Sequence, residues 1–182
     1  MMNTNRRSFL QTAAAAAAAT TLPHWYLNEL TQSAAAAPVD GDQPAIALIG
    51  CGGMGKGDAK NASRFGRIVA VCDVDDRQLA EAKKLWPDAD TYKDFRKVMD
   101  RKDIQVVICG TVDHWHTLIS LAALRSKKDV YCEKPLTLTI EEGQHLVSAV
   151  RNTGGILQTG SQQRSDKNVR LACELVRNGH IG

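Results

Sequence analysis

At 182 residues the chain has room for one ordinary domain plus a tail. Hydrophobic residues make up 43% and charged residues 24%, the balance of a soluble globular protein. The net charge of +3 is small and unclustered, which speaks against nucleic acid as a partner. In chain order the pattern divides into an Ala-rich leader over residues 1–37, a short linker over 38–43 and a regularly patterned domain over 44–182.

The leader opens with Arg6-Arg7, followed two positions on by Phe9. An Ala-rich apolar run extends from Thr12 to Leu22, and Ala34-Ala35-Ala36-Ala37 supplies the small residues that signal peptidase cleaves. The run is too short to span a bilayer. Its order, positive then apolar then small, is what a targeting peptide requires; an Ala-rich surface helix or a disordered tail is the plainer alternative. The arrangement resembles a twin-arginine leader, which implies handling by the twin-arginine export machinery and an exported, periplasmic protein. Cleavage after Ala36 is expected.

From Pro44 onward, short apolar runs alternate with amphipathic stretches. The pattern predicts strands over 45–49, 68–72, 106–109, 130–132 and 156–159. Helices are predicted over 53–63, 76–86, 94–99, 114–126, 140–152 and 167–178, with Asp76 as a natural N-cap. Strands of four to six apolar residues between helices argue for a parallel sheet covered on both faces, a doubly wound α/β fold. The cysteines, Cys51, Cys72, Cys109, Cys132 and Cys173, are odd in number and form no CxxC pair, so neither a metal site nor a disulfide framework is expected. Four fall in or beside predicted strands, where a free cysteine packs as a small apolar residue.

The first strand runs into Gly50-Cys51-Gly52-Gly53-Met54-Gly55, a G-x-G-x-x-G between a strand and a helix. In that context Gly50 allows the tight turn, Gly52 lets the backbone approach a pyrophosphate, and Gly55 permits close helix–strand packing. The helix N-terminus offers free N–H groups and partial positive charge to phosphates, with Met54 as local packing. Asp73 closes the second strand, 23 residues after Gly50, where a carboxylate accepts from the adenosine ribose hydroxyls and repels a 2′-phosphate. NAD is therefore expected over NADP, although an ordinary strand-end turn residue would look the same. Two further segments sit at strand carboxyl ends, where doubly wound folds bind ligands: Thr111-Val112-Asp113-His114-Trp115-His116 and Glu133-Lys134-Pro135. Lys134 at such a rim is a functional candidate, since lysine is seldom buried. The plain readings are an Asp113 N-cap and a solvated turn.

The glycine motif, strand-end Asp73, TVDHWH, YCEKPLT and GSQQR occur in that order over about 44–182. Together they resemble the nucleotide-binding domain of the glucose-fructose oxidoreductase/inositol dehydrogenase/rhizopine catabolism family. The resemblance implies a Rossmann domain, with the family's second α/β domain absent from this chain. It implies that Lys134 lies near the nicotinamide and the reacting carbon, that Trp115 and His116 flank the cofactor, and that Gln162 and Arg164 approach the nicotinamide side. Thr111, His114 and Glu133 belong to the same cofactor-binding segments. The family chemistry is hydride transfer between a sugar or polyol carbon and nicotinamide, with a base or relay for the hydroxyl proton. Alone, the chain is expected to bind cofactor with little turnover, and any homo-oligomer is expected to form through the second domain. The alternatives are an NAD-dependent glycosidase of the same family and a stand-alone NAD-binding module.

Overall fold

The computed structural model describes Gln43–Ile181. The leader over 1–37 and all but the last residue of the linker over 38–43 lie outside the described residues. Six strands form one all-parallel sheet: β1 (Ala45–Ile49), β2 (Arg67–Cys72), β3 (Asp90–Tyr92), β4 (Val106–Cys109), β5 (Asp129–Glu133) and β6 (Leu157–Gly160). Their spatial order is β3-β2-β1-β4-β5-β6. The helices are α1 (Gly53–Ala62), α2 (Asp76–Leu85), α3 (Phe95–Asp100), α4 (Asp113–Arg125), α5 (Ile140–Thr153) and α6 (Lys167–Arg177), with a 3-10 helix at Gln162–Ser165.

Alternate residues of each central strand feed opposite faces, so the sheet carries two cores. Ile46, Leu48, Val71 and Ile108 pack with Ala59 of α1 and with Leu79 and Ala82 of α2. Ala47, Ile49, Ala70 and Val107 pack with Val98 of α3, with Ile119 and Leu124 of α4, and with Leu146 of α5. Burial on both faces explains why β1 and β4 read as continuous apolar runs rather than alternating ones. Chain order reverses at β1, which pairs with β2 on one side and β4 on the other. The carboxyl ends of β1 and β4 thus form the topological switch point, where open parallel sheets bind ligands.

The main departures from the sequence reading are local. β3 was not anticipated: its Asp90-Thr91-Tyr92 is a short, largely exposed edge strand paired to β2 and carries no apolar run. Asp75, not Asp76, caps α2, accepting the Arg77 N–H at 2.8 Å. Asp113 is the first helical residue of α4 rather than its cap, and Val112 in the cap position provides no side-chain acceptor. Thr139 caps α5, and Gly154, at φ +68°, closes it.

Candidate functional site

The glycine turn is built by close approach of backbones. Gly50 sits at φ +90°, and a Cβ there would lie 2.5 Å from the Gly110 carbonyl carbon. A Cβ on Gly110 would lie 2.6 Å from Gly55 Cα, so β1, β4 and α1 meet through three glycines. Gly52 and Gly53 face open space instead. Gly52 caps α1 without a side-chain hydrogen bond, leaving the first-turn N–H groups of Gly53 and Met54 without intrahelical partners. A cradle with backbone donors and no side chains in the way fits a pyrophosphate. Met54 is exposed beside it.

Asp73 lies next to this turn at the end of β2. Its Oδ2 accepts the Cys51 N–H at 2.7 Å and its Oδ1 the Asp75 N–H at 2.9 Å, so the carboxylate orients the glycine turn as well as facing the site. A cavity of about 320 Å³ opens here, lined among others by Gly50, Gly52, Asp73, Lys93, Phe95 and Trp115. Trp115 and Phe95 meet edge to face at 6.0 Å. Thr111 also lines the cavity, whereas His114, exposed on the first turn of α4, does not. An apolar slot ending in a carboxylate suits an adenosine.

The second rim is the end of β5. Glu133 is buried, Lys134 is exposed, and Glu133 Oε2 accepts the Lys134 N–H at 3.1 Å. Gln162 donates to Glu133 Oε1 and, at 3.4 Å, to Asp58 of α1. Both ring nitrogens of His116 meet backbone carbonyls, Nδ1 2.6 Å from Pro135 O and Nε2 3.1 Å from Thr111 O. With 1% exposure, that ring lies under the rim and ties the β4 loop to the β5 loop, rather than lying on the surface where a cofactor would be flanked. Arg164 is exposed on the 3-10 helix, with no side-chain hydrogen bond among the described residues.

Four cysteines are buried and Cys173 is exposed; all are free thiols. Burial first, then the Asp73 charge, pushes the Cys51 and Cys72 thiols up to about 12. Cys109 and Cys132 are direct neighbours on β4 and β5, a juxtaposition that spacing in the sequence gave no sign of. Their sulfurs and a His116 nitrogen lie within 4.8 Å of one another. The hydrogen bond from Cys132 pulls the Cys109 thiol down, and the same contact holds the Cys132 thiol up. Coordinating a cation through either His116 nitrogen would mean giving up a carbonyl contact, so the geometry fits a buried thiol pair better than a metal centre.

A sequence profile described as the oxidoreductase family, NAD-binding Rossmann fold, matches residues 45–161. The chain belongs to that family. A second profile, the twin-arginine translocation pathway signal sequence, matches residues 3–23. Myo-inositol 2-dehydrogenase of Thermotoga maritima is 30% identical over 139 residues, covering 75% of this chain and 42% of that protein. Inositol 2-dehydrogenase of Burkholderia multivorans is 32% identical over 142 residues, with the same coverage of each. The chain thus spans less than half the length of these curated relatives. Among solved structures, scyllo-inositol dehydrogenase from Lactobacillus casei with bound NAD(H) and scyllo-inositol matches with TM-score 0.68 and 28% identity, covering 78% of this chain and 43% of that one. Myo-inositol 2-dehydrogenase from Lactobacillus plantarum matches with TM-score 0.69 and 28% identity, covering 78% and 43%.

In this NAD-binding oxidoreductase domain the structure brings Gly50, Gly52, Asp73, Thr111 and Trp115 together at one cavity. It groups Glu133, Lys134 and Gln162 at the neighbouring rim. Two contributors escaped sequence reasoning. Phe95 reads as the start of an amphipathic helix, yet it forms a cavity wall. Asp58 follows Gly55 by three residues, one turn along the same helix face, and that spacing was the available signal that it points inward.

Proposed function

We propose that this domain forms the cofactor half of an exported NAD-dependent dehydrogenase that oxidises a sugar, sugar acid or cyclitol. The observation that carries the reading is Lys134: an exposed lysine at a strand carboxyl end, its backbone fixed by a buried Glu133 that Gln162 links to α1. NAD, when bound, accepts the hydride. The chain's own groups do the rest. The N–H groups at the start of α1 hold the pyrophosphate, and Asp73 takes the ribose hydroxyls. The neutral amine form of Lys134 receives the proton of the substrate hydroxyl as its carbon is oxidised and becomes the ammonium, the task of a general base within hydrogen-bond reach. The inositol dehydrogenases among the relatives favour a cyclitol.

The test is reduction of NAD by the intact gene product offered myo-inositol, scyllo-inositol and a panel of aldoses. Turnover on one of them is expected; release of free sugar from a glycoside without net NAD reduction would replace this reading with a hydrolytic one. The match over residues 3–23 supports twin-arginine export to the periplasm. Arg6→Lys combined with Arg7→Lys should therefore leave the uncleaved precursor in the cytoplasm, and undiminished export of that double variant would rule the pathway out.

A further inference from the structure

Asp58 on α1 and Glu133 at the end of β5 are buried carboxyls, 9% and 4% exposed. Among the described residues no lysine, arginine or histidine forms an ion pair with either. Of the two lysines flanking Asp58 along α1, Lys56 is turned to Gln78 and Glu81 of α2, and Lys60 forms no ion pair among the described residues. Two carboxylates side by side out of water cannot both keep their charge cheaply, and a proton taken up by one becomes a hydrogen bond to the other. Asp58 Oδ2 is buried with no hydrogen-bond partner among the described residues, while Asp58 Oδ1 and Glu133 Oε1 converge on the same Gln162 Nε2 donor.

The other groups facing the pair are few. Tyr131 approaches from β5, its phenol pushed up by burial and then by the two acids. Gln162 donates to both carboxyls from the 3-10 helix. Gly160 of β6 closes the far wall, where a Cβ would lie 2.6 Å from Glu133 Oε1 and 3.0 Å from Tyr131 Oη. Burial first, then the Glu133 charge, raises Asp58 to about 6.

We propose that Asp58 and Glu133 hold one proton between them as a positioning device, which fixes the Glu133 carboxyl so that it retains the backbone N–H of Lys134. Asp58 acts through Glu133. When the proton leaves, the two charges repel, Glu133 shifts, and Lys134 is held less firmly. The rim is thus set more tightly in mildly acidic than in alkaline surroundings. The value of this for catalysis rests on the reading of Lys134 as the proton acceptor.

Exchange of the Lys134 amide in the full chain, read by NMR between about pH 5 and 8 and corrected for the intrinsic rate, tests the device. Wild-type protection should fall by about tenfold as pH rises through the Asp58 titration, the one-proton limit being tenfold per pH unit. In Asp58→Asn the amide donates to Glu133 at every pH, so protection should persist and the profile should be flat. Glu133→Gln, which retains an acceptor but removes the second charge, should also be flat and serves if the first variant does not fold. A flat wild-type profile overturns the proposal, as does an Asp58→Asn profile that tracks the wild type. A merely structural contact predicts uniform loss of protection in the variants with no change of pH dependence. If Lys134 proves to have no part in turnover, only the functional reading fails, because the exchange profile is independent of turnover.

Discussion

Gly50→Ala is expected to abolish NAD binding while the chain loses about 1–3 kcal/mol of stability. Two separate effects combine. At φ +90° an alanine is strained by its own Cβ, and that Cβ would lie 2.5 Å from the Gly110 carbonyl carbon, which is backbone and cannot rotate away. To relieve the clash the turn must lift off β4, which moves the donors at the start of α1 and the Cys51 N–H that Asp73 holds. Gly57→Ala is the matching control. Gly57 lies within α1, a Cβ there meets nothing within 4 Å, and alanine in a helix interior is favoured by about 1 kcal/mol. The expected pair of results is therefore loss of binding with a lowered unfolding midpoint for Gly50→Ala, and unchanged binding with a raised midpoint for Gly57→Ala. Thermal unfolding with and without NAD reads both. Full NAD affinity in Gly50→Ala would mean that the cofactor lies elsewhere.

Lys134→Met in the intact gene product is expected to lower kcat by about 10²–10⁴, the range associated with removing a general base, and to leave the NAD Kd within about twofold. The side chain is exposed, and its backbone, not its side-chain nitrogen, makes the described hydrogen bond to Glu133. Methionine preserves the stem and removes the proton-accepting nitrogen, so the loss should fall on turnover and not on folding or cofactor affinity. Single-turnover reduction of enzyme-bound NAD separates the two. An unchanged single-turnover rate would strip Lys134 of the role given to it.

The framework was legible because hydrophobic period and glycine punctuation act locally: β1, the glycine turn and α1 stand where Ala45 to Ala62 place them. β3 was hidden because an exposed edge strand needs no apolar face, and Asp90-Thr91-Tyr92 reads as loop. The cofactor side of the site was legible for the same local reason, since a G-x-G-x-x-G and a strand-end Asp73 carry their context with them. The rim was less so. His116 stands one residue from Trp115, but the helix turns its ring inward onto two carbonyls while Trp115 lines the cavity. Gln162 meets Asp58 across 104 residues, a contact created only by closure of the sheet. No spacing rule connects α1, β5 and the 3-10 helix, so the carboxyl pair could only emerge from the fold.

We propose the switch point between β1 and β4 as the NAD site, with Asp73 setting its selectivity. Calorimetric titration of the full chain with NAD and with NADP tests it most directly. The account predicts one site per chain, with NAD bound at least about tenfold more tightly than NADP, a difference of about 1.4 kcal/mol. Tighter binding of NADP would contradict the role of Asp73, and absence of heat and of thermal shift with either nucleotide would contradict the site itself.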